Sequence, residues 1–144
     1  MTHRVGRHGT ACVLFLAMVC SSPAVAQDAA APDPANVALG EKLYVRGGCH
    51  NCHGEKGQGG ISVDFPRGPS LRASQLDHQG MVEIITCGIP DTRMAAWLKG
   101  AYTETACFGE PLGPAPSGTI VTGVFTADEI NVLVDYIETE FMRR

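Results

Sequence analysis

Residues 49–53 read CHNCH, two cysteines three positions apart with a histidine directly after the second. No other stretch restricts the fold as much, because thiols at this spacing hold a metal, exchange electrons as a dithiol, or attach something larger. Each choice calls for a different body around it.

The chain has 144 residues, enough for one modest domain. Residues 1–26 do not count toward that domain. Arg4 and Arg7, the apolar run ACVLFLAMVC and the small-residue AVA before Gln27 form a secretory signal peptide that is cleaved. The run is too short for a bilayer-spanning helix. Val19 is bulkier than the residue a lipoprotein peptidase prefers before its cysteine, which argues against a lipid on Cys20. The mature protein is therefore expected in the periplasm, with no transmembrane segment.

The 118 residues that follow carry nine Lys and Arg, the eleven of the chain less Arg4 and Arg7, against 15 Asp and Glu. The resulting net charge of −6 argues against nucleic acid and against anionic lipid. A charged partner is expected to be basic at its contact. Of six cysteines, Cys12 and Cys20 leave with the signal. In an oxidising compartment Cys49, Cys52, Cys87 and Cys107 are expected to be paired, modified or metal-bound.

Residues 27–35, QDAAAPDPA, read as a flexible leader. A short helix is expected over 36–46, where Val37, Gly40 and Tyr44 share a face with Leu43 beside them. Glycine is costly inside a helix, so Gly40 reads as the place where another helix crosses closely. Residues 54–70 are glycine rich and aperiodic, a loop. A second helix is expected from near Ser74, with Asp77 completing a variant capping box, and to end at CGIP. Residues 98–125 read as a long loop with a short extended piece over 119–125. The last helix is the clearest element. Thr126 and Glu129 form a capping box, and Ile130, Leu133, Val134, Ile137 and Phe141 make one stripe that needs a partner, best supplied by the Gly40 face. Three helices and long loops are a thin core for such a chain, and short chains of this kind import a staple or a cofactor.

A thioredoxin-like dithiol belongs beside a βαβ pattern, which this sequence lacks. A zinc site would combine CHNCH with Cys87 and Cys107, but those two are 20 residues apart rather than closely spaced. Covalent haem attachment has C-x-x-C-H as its signature. The two thiols add across the vinyl groups on one edge of the macrocycle, and His53 is thereby held beneath the iron as its proximal ligand.

In these residues the chain resembles the small class I cytochromes c, over nearly all of its mature length. Beyond CHNCH, RGPSL at 67–71 is similar to the family's Gly-Pro-x-Leu, and FTADEINVLVDYI at 125–137 to its terminal helix, which packs across the first helix at a glycine such as Gly40. The resemblance implies an all-α fold of three main helices and long loops wrapped around one covalently bound haem c. It implies thioethers at Cys49 and Cys52, and a hydrogen bond from the Nδ1 of His53 to the carbonyl of Pro69. It also implies an axial methionine on a loop after the middle helix, where CGIPDTRMAAW offers Met94. Met81 lies mid-helix, Met142 lies near the tail and His78 near a helix start, so these compete less well, although bis-histidine ligation with His78 stays open. The family usually places proline after this methionine, and here Ala95 stands instead. Arg93 and Trp97 flank Met94 as candidates for a haem propionate, while His50 is expected to face solvent without a role.

Cys87 and Cys107 are then expected to form a disulfide around the Met94 loop, worth roughly 3 kcal/mol in the chain-entropy model. The domain is set at 36–144, with 98–125 as an inserted loop that docks a partner. The resemblance implies a monomeric electron carrier rather than an enzyme, passing one electron at a time between redox proteins. The donor would be a periplasmic dehydrogenase and the acceptor a terminal oxidase. Two other readings stand beside it: a haem enzyme or gas sensor whose sixth ligand is labile, suggested by Ala95, and a fixed subunit of a dehydrogenase or oxidase complex, suggested by the insertion.

Overall fold

The computed structural model describes residues 33–60 and 62–142; the signal segment 1–26 and residues 27–32 of the leader lie outside them. The first helix, α1, runs Pro34–Arg46, two residues earlier than expected. Asp33 is the reason: its carboxylate accepts a hydrogen bond from the Ala35 N–H at 2.9 Å, and Pro34 needs no amide partner at the first helical position. A single helical turn, α2, follows at Cys49–His53, and a 3-10 turn at Leu71–Ala73.

The middle helix, α3, spans His78–Cys87 and is capped by Asp77, whose carboxylate accepts from the Gly80 N–H at 2.8 Å. Ser74 is not the cap; its hydroxyl accepts locally from Leu76, which holds the preceding turn. The terminal helix, α4, spans Ala127–Glu140 with both halves of the Thr126–Glu129 capping box in place.

The core lies where α4 crosses α1. Ile130, Leu133 and Val134 have no exposure, and Leu43 and Tyr44 face them from α1. Gly40 allows this crossing, because a Cβ there would run into the Cβ of Tyr136 and the Val132 carbonyl. Arg46 closes the far end, bonding Glu129 at 2.7 Å while its guanidinium lies over the Phe125 ring at 4.8 Å.

The fold is mostly helical but not wholly so. Strand β1, Ala96–Leu98, pairs in parallel with β2, Val121–Phe125, so Ala96 sits against Val121 and Leu98 against Phe125. Parallel strands require a long crossover, and residues 99–120 supply it. The segment read as a loop is therefore strand-bounded at both ends. Among the described residues no helix is long and apolar enough to cross a membrane.

Candidate haem site

The turn α2 is entered through Gly48 at φ 66° and left through Gly54 at φ 81°, backbone settings that glycine adopts without penalty. Positions i, i+3 and i+4 share a helical face. Cys49, Cys52 and His53 accordingly line one cavity of about 660 Å³, within the range of small-molecule sites. Its walls are largely apolar: Leu71 from the 3-10 turn, Met81, Ile84 and Ile85 from α3, and Ile137 from α4. Met94 and Trp97 line it from the chain after α3, and Arg93 stands exposed at its rim. The cavity thus brings together every residue that the resemblance nominates for the cofactor.

The loop after α2 folds back on that turn. The Gly59 N–H donates to the His53 carbonyl and the Gly68 N–H to the Cys52 carbonyl, both at 2.8 Å. This return puts the Pro69 carbonyl 2.9 Å from the Nδ1 of His53. A carbonyl only accepts, so Nδ1 carries the hydrogen and Nε2 keeps its lone pair free for a metal. Gly68 must lack a side chain, since a Cβ would lie 2.9 Å from the Nδ1 and Cε1 of His53. If His53 ligates iron, as the resemblance implies, Gly68→Ala is expected to tilt the imidazole and weaken that ligation about 10-fold or more, the usual cost of disturbing a ligand's supporting contact. Titrating the reduction potential of this variant against the native protein checks it; equal potentials would mean the ring tolerates the methyl.

The thiols fit addition to a bound group better than the other two chemistries. Cys49 and Cys52 are unpaired, whereas Cys87 and Cys107 are bonded to each other, so the four cysteines do not converge on a zinc ion. Burial pushes the Cys49 thiol up to about 12, with a backbone hydrogen bond opposing and Cys52 reinforcing the rise. Among the described residues no helix lies between the two parallel strands, so the C-x-x-C lacks the βαβ frame of a thioredoxin-like dithiol. Two neighbouring thiols, an imidazole whose Nδ1 is turned to the Pro69 carbonyl, a half-buried thioether and apolar walls form a donor set suited to haem c.

His50 is half-buried rather than solvent-facing, and its Nδ1 is enclosed without a hydrogen-bond partner. Met81 belongs to the core and also lines the cavity, while Met142 is buried in the core away from the lining. His78 is turned to α4, its Nδ1 3.0 Å from Glu138 and 3.8 Å from Asp135, and its Nε2 3.4 Å from Asn131. Among the lining residues that sequence reasoning did not nominate are Arg67, whose position beside GPSL was the available signal, and Tyr44, which read only as a stripe member. The Tyr44 hydroxyl donates to the Gly54 carbonyl at 2.8 Å and steadies the exit from α2, and burial raises its pKa.

The hydrogen bond to Glu138 raises the His78 pKa above the usual imidazole value, with burial opposing. The folded pKa exceeds the unfolded one, so the stabilisation is full below about pH 6.5 and fades as pH rises through the raised pKa. His78→Gln is expected to flatten the fall in stability across that window, modestly because the side chain is 42% exposed. Urea titrations at pH 6 and pH 9 measure it, and an identical pH slope in both proteins would remove His78 from the account.

Comparison with known families matches residues 35–106, half of the chain, to the family described as Cytochrome C oxidase, cbb3-type, subunit III. No curated protein and no solved structure gives a significant match.

Proposed function

Because the chain belongs to the cbb3-type cytochrome c family, a monohaem class I family matched over residues 35–106, we propose that it is a periplasmic one-electron carrier with a His53/Met94-ligated haem. The family itself implies electron transfer and haem c. The observation that carries the finer reading is the 2.9 Å contact between the His53 Nδ1 and the Pro69 carbonyl, at the wall of a cavity that both free thiols and Met94 also line.

Haem c, when bound, supplies a ferric/ferrous couple. Cys49 and Cys52 tether it, and His53 presents Nε2 in one fixed tautomer. Met94 contributes a neutral, soft sulfur, which favours the reduced state and raises the potential. The apolar walls exclude water. Arg67 and Arg93 at the cavity are suited to the propionates, and the Trp97 ring lines the same cavity. With His53 and Met94 both committed to the iron, the chain would carry electrons rather than transform a substrate. The donor is a periplasmic dehydrogenase and the acceptor a terminal oxidase, each met in a weak complex of small area.

The test is an absorption spectrum of the periplasmically expressed protein, oxidised and reduced, extended into the near infrared. Sharp bands on reduction, with a weak ferric sulfur-to-iron band that Met94→Ala abolishes, are expected. Sharp bands without that feature, together with rapid carbon monoxide binding, would instead favour the gas-sensor or enzyme reading. The family description, which names an oxidase subunit, favours one second reading, a fixed subunit of an oxidase complex. Purification as a free soluble monomer would count against it.

A further inference from the structure

Met94 stands on residues 88–95, which join α3 to β1. Within that segment four hydrogen bonds close a small turn: Ile89 N–H to the Met94 carbonyl at 2.9 Å, Thr92 N–H to the Ile89 carbonyl at 3.2 Å, Met94 N–H to the Thr92 hydroxyl at 3.1 Å, and that hydroxyl to the Ile89 carbonyl at 2.7 Å. These shape the turn without tying it to the rest of the protein. A free turn of this size would let the thioether drift.

The anchors come from residues 99–125. At the upstream end, Cys107 is bonded to Cys87 and the buried Tyr102 hydroxyl donates to the Cys87 carbonyl at 2.8 Å. In the middle, the Asp91 N–H donates to the Gly118 carbonyl at 3.1 Å, and a Cβ on Gly118, at φ 81°, would strike the Asp91 carboxylate. At the downstream end, the Ala96 N–H donates to the Ile120 carbonyl at 2.7 Å, and the Thr122 hydroxyl donates to the Ala96 carbonyl at 2.9 Å. Ala95 and Ala96, directly after the methionine, are almost wholly buried beneath these contacts. A segment that grips another at its start, middle and end restricts its local opening, the quantity that determines how often a loop-borne ligand leaves its place.

We propose that residues 99–125 are a positioning brace for Met94, with Cys107, Gly118 and Thr122 as its anchors, so that this segment decides whether the thioether stays on the iron. The proposal rests on the reading of Met94 as the sixth ligand. It replaces the idea of an inserted loop as a docking device alone: the inner side of the segment is committed to the ligand turn. Ala95 requires no rigid substitute of its own when the strand pair beginning at Ala96 supplies the rigidity.

The test compares native holoprotein with Gly118→Ala, Thr122→Val and the Cys87→Ser/Cys107→Ser pair. Three signals are read: amide hydrogen exchange over residues 88–98, the ferric sulfur-to-iron band, and the rate of carbon monoxide binding to the reduced protein. Exchange over 88–98 is expected to quicken, the band to weaken and carbon monoxide binding to rise at least 10-fold, while α1 and α4 exchange as in the native protein. Thr122→Val removes one hydrogen bond at nearly constant shape and keeps the test decisive if the other variants do not fold. Native-like exchange and carbon monoxide rates, in a protein whose sulfur band is present, overturn the brace alone. A native protein without that band overturns the Met94 reading first, and exchange over 88–98 then reports whether the anchoring itself is real.

Discussion

The Cys49→Ala/Cys52→Ala protein is expected to release its haem completely in denaturant, whereas the native protein keeps the chromophore on the chain. Both thiols are unpaired and line the same cavity wall as His53, so on the proposed reading they are the sole covalent links. A single Cys→Ala change leaves one bond and an attached, less constrained group. The double change leaves only His53, Met94 and apolar contact. Any haem the folded variant holds is then in equilibrium with solvent, and unfolding sets it free. Folding should suffer too, because a cavity of about 660 Å³ in a protein of this size leaves many walls without neighbours. Gel filtration in guanidinium, followed at the absorption of the haem, measures the loss. A chromophore that still runs with the double variant would show that the thiols are not its attachment.

Gly40→Val should be the most damaging single change away from the cavity. The first atom it adds meets two things that cannot give way, the Cβ of Tyr136 and the backbone carbonyl of Val132 on α4. The helices must part, and the contact they share is the centre of the core, where Ile130, Leu133 and Val134 have no exposure. Overpacking against backbone sits at the top of its usual range, about 3 kcal/mol. A thermal midpoint lower by roughly 15 °C follows at the usual sensitivity of small domains. Gly40→Ala makes the sharper control. Helix propensity alone predicts that alanine stabilises by about 1 kcal/mol, whereas the crossing predicts a loss. A midpoint raised by Gly40→Ala would mean that the helices do not meet as closely as described.

Much of the helical frame was legible because it is written in short-range chemistry. The Thr126–Glu129 box and the stripe behind it mark α4, since capping and the helical period are properties of neighbours along the chain. Gly40 could be read as a crossing because a glycine in a helix weakens it unless something needs the space. The differences at helix starts were also local: Asp33 with Pro34 caps α1 ahead of the start expected at 36, and Asp77 rather than Ser74 caps α3. Strand β1 left no signal, since three residues are too few to display an alternation and their partner lies more than 20 positions away.

The sequence by itself determined the chemistry on offer, two thiols and an imidazole that one turn of helix turns to the same side, because that arrangement depends on spacing alone. Only the tertiary structure decided what surrounds them. The return of the chain that sets Pro69 against His53 depends on contacts between residues remote in sequence. The departure of His78 to Glu138 and the grip of residues 99–125 on the Met94 turn do so as well. Such contacts form only when the core draws distant segments together, and no local pattern encodes where they meet.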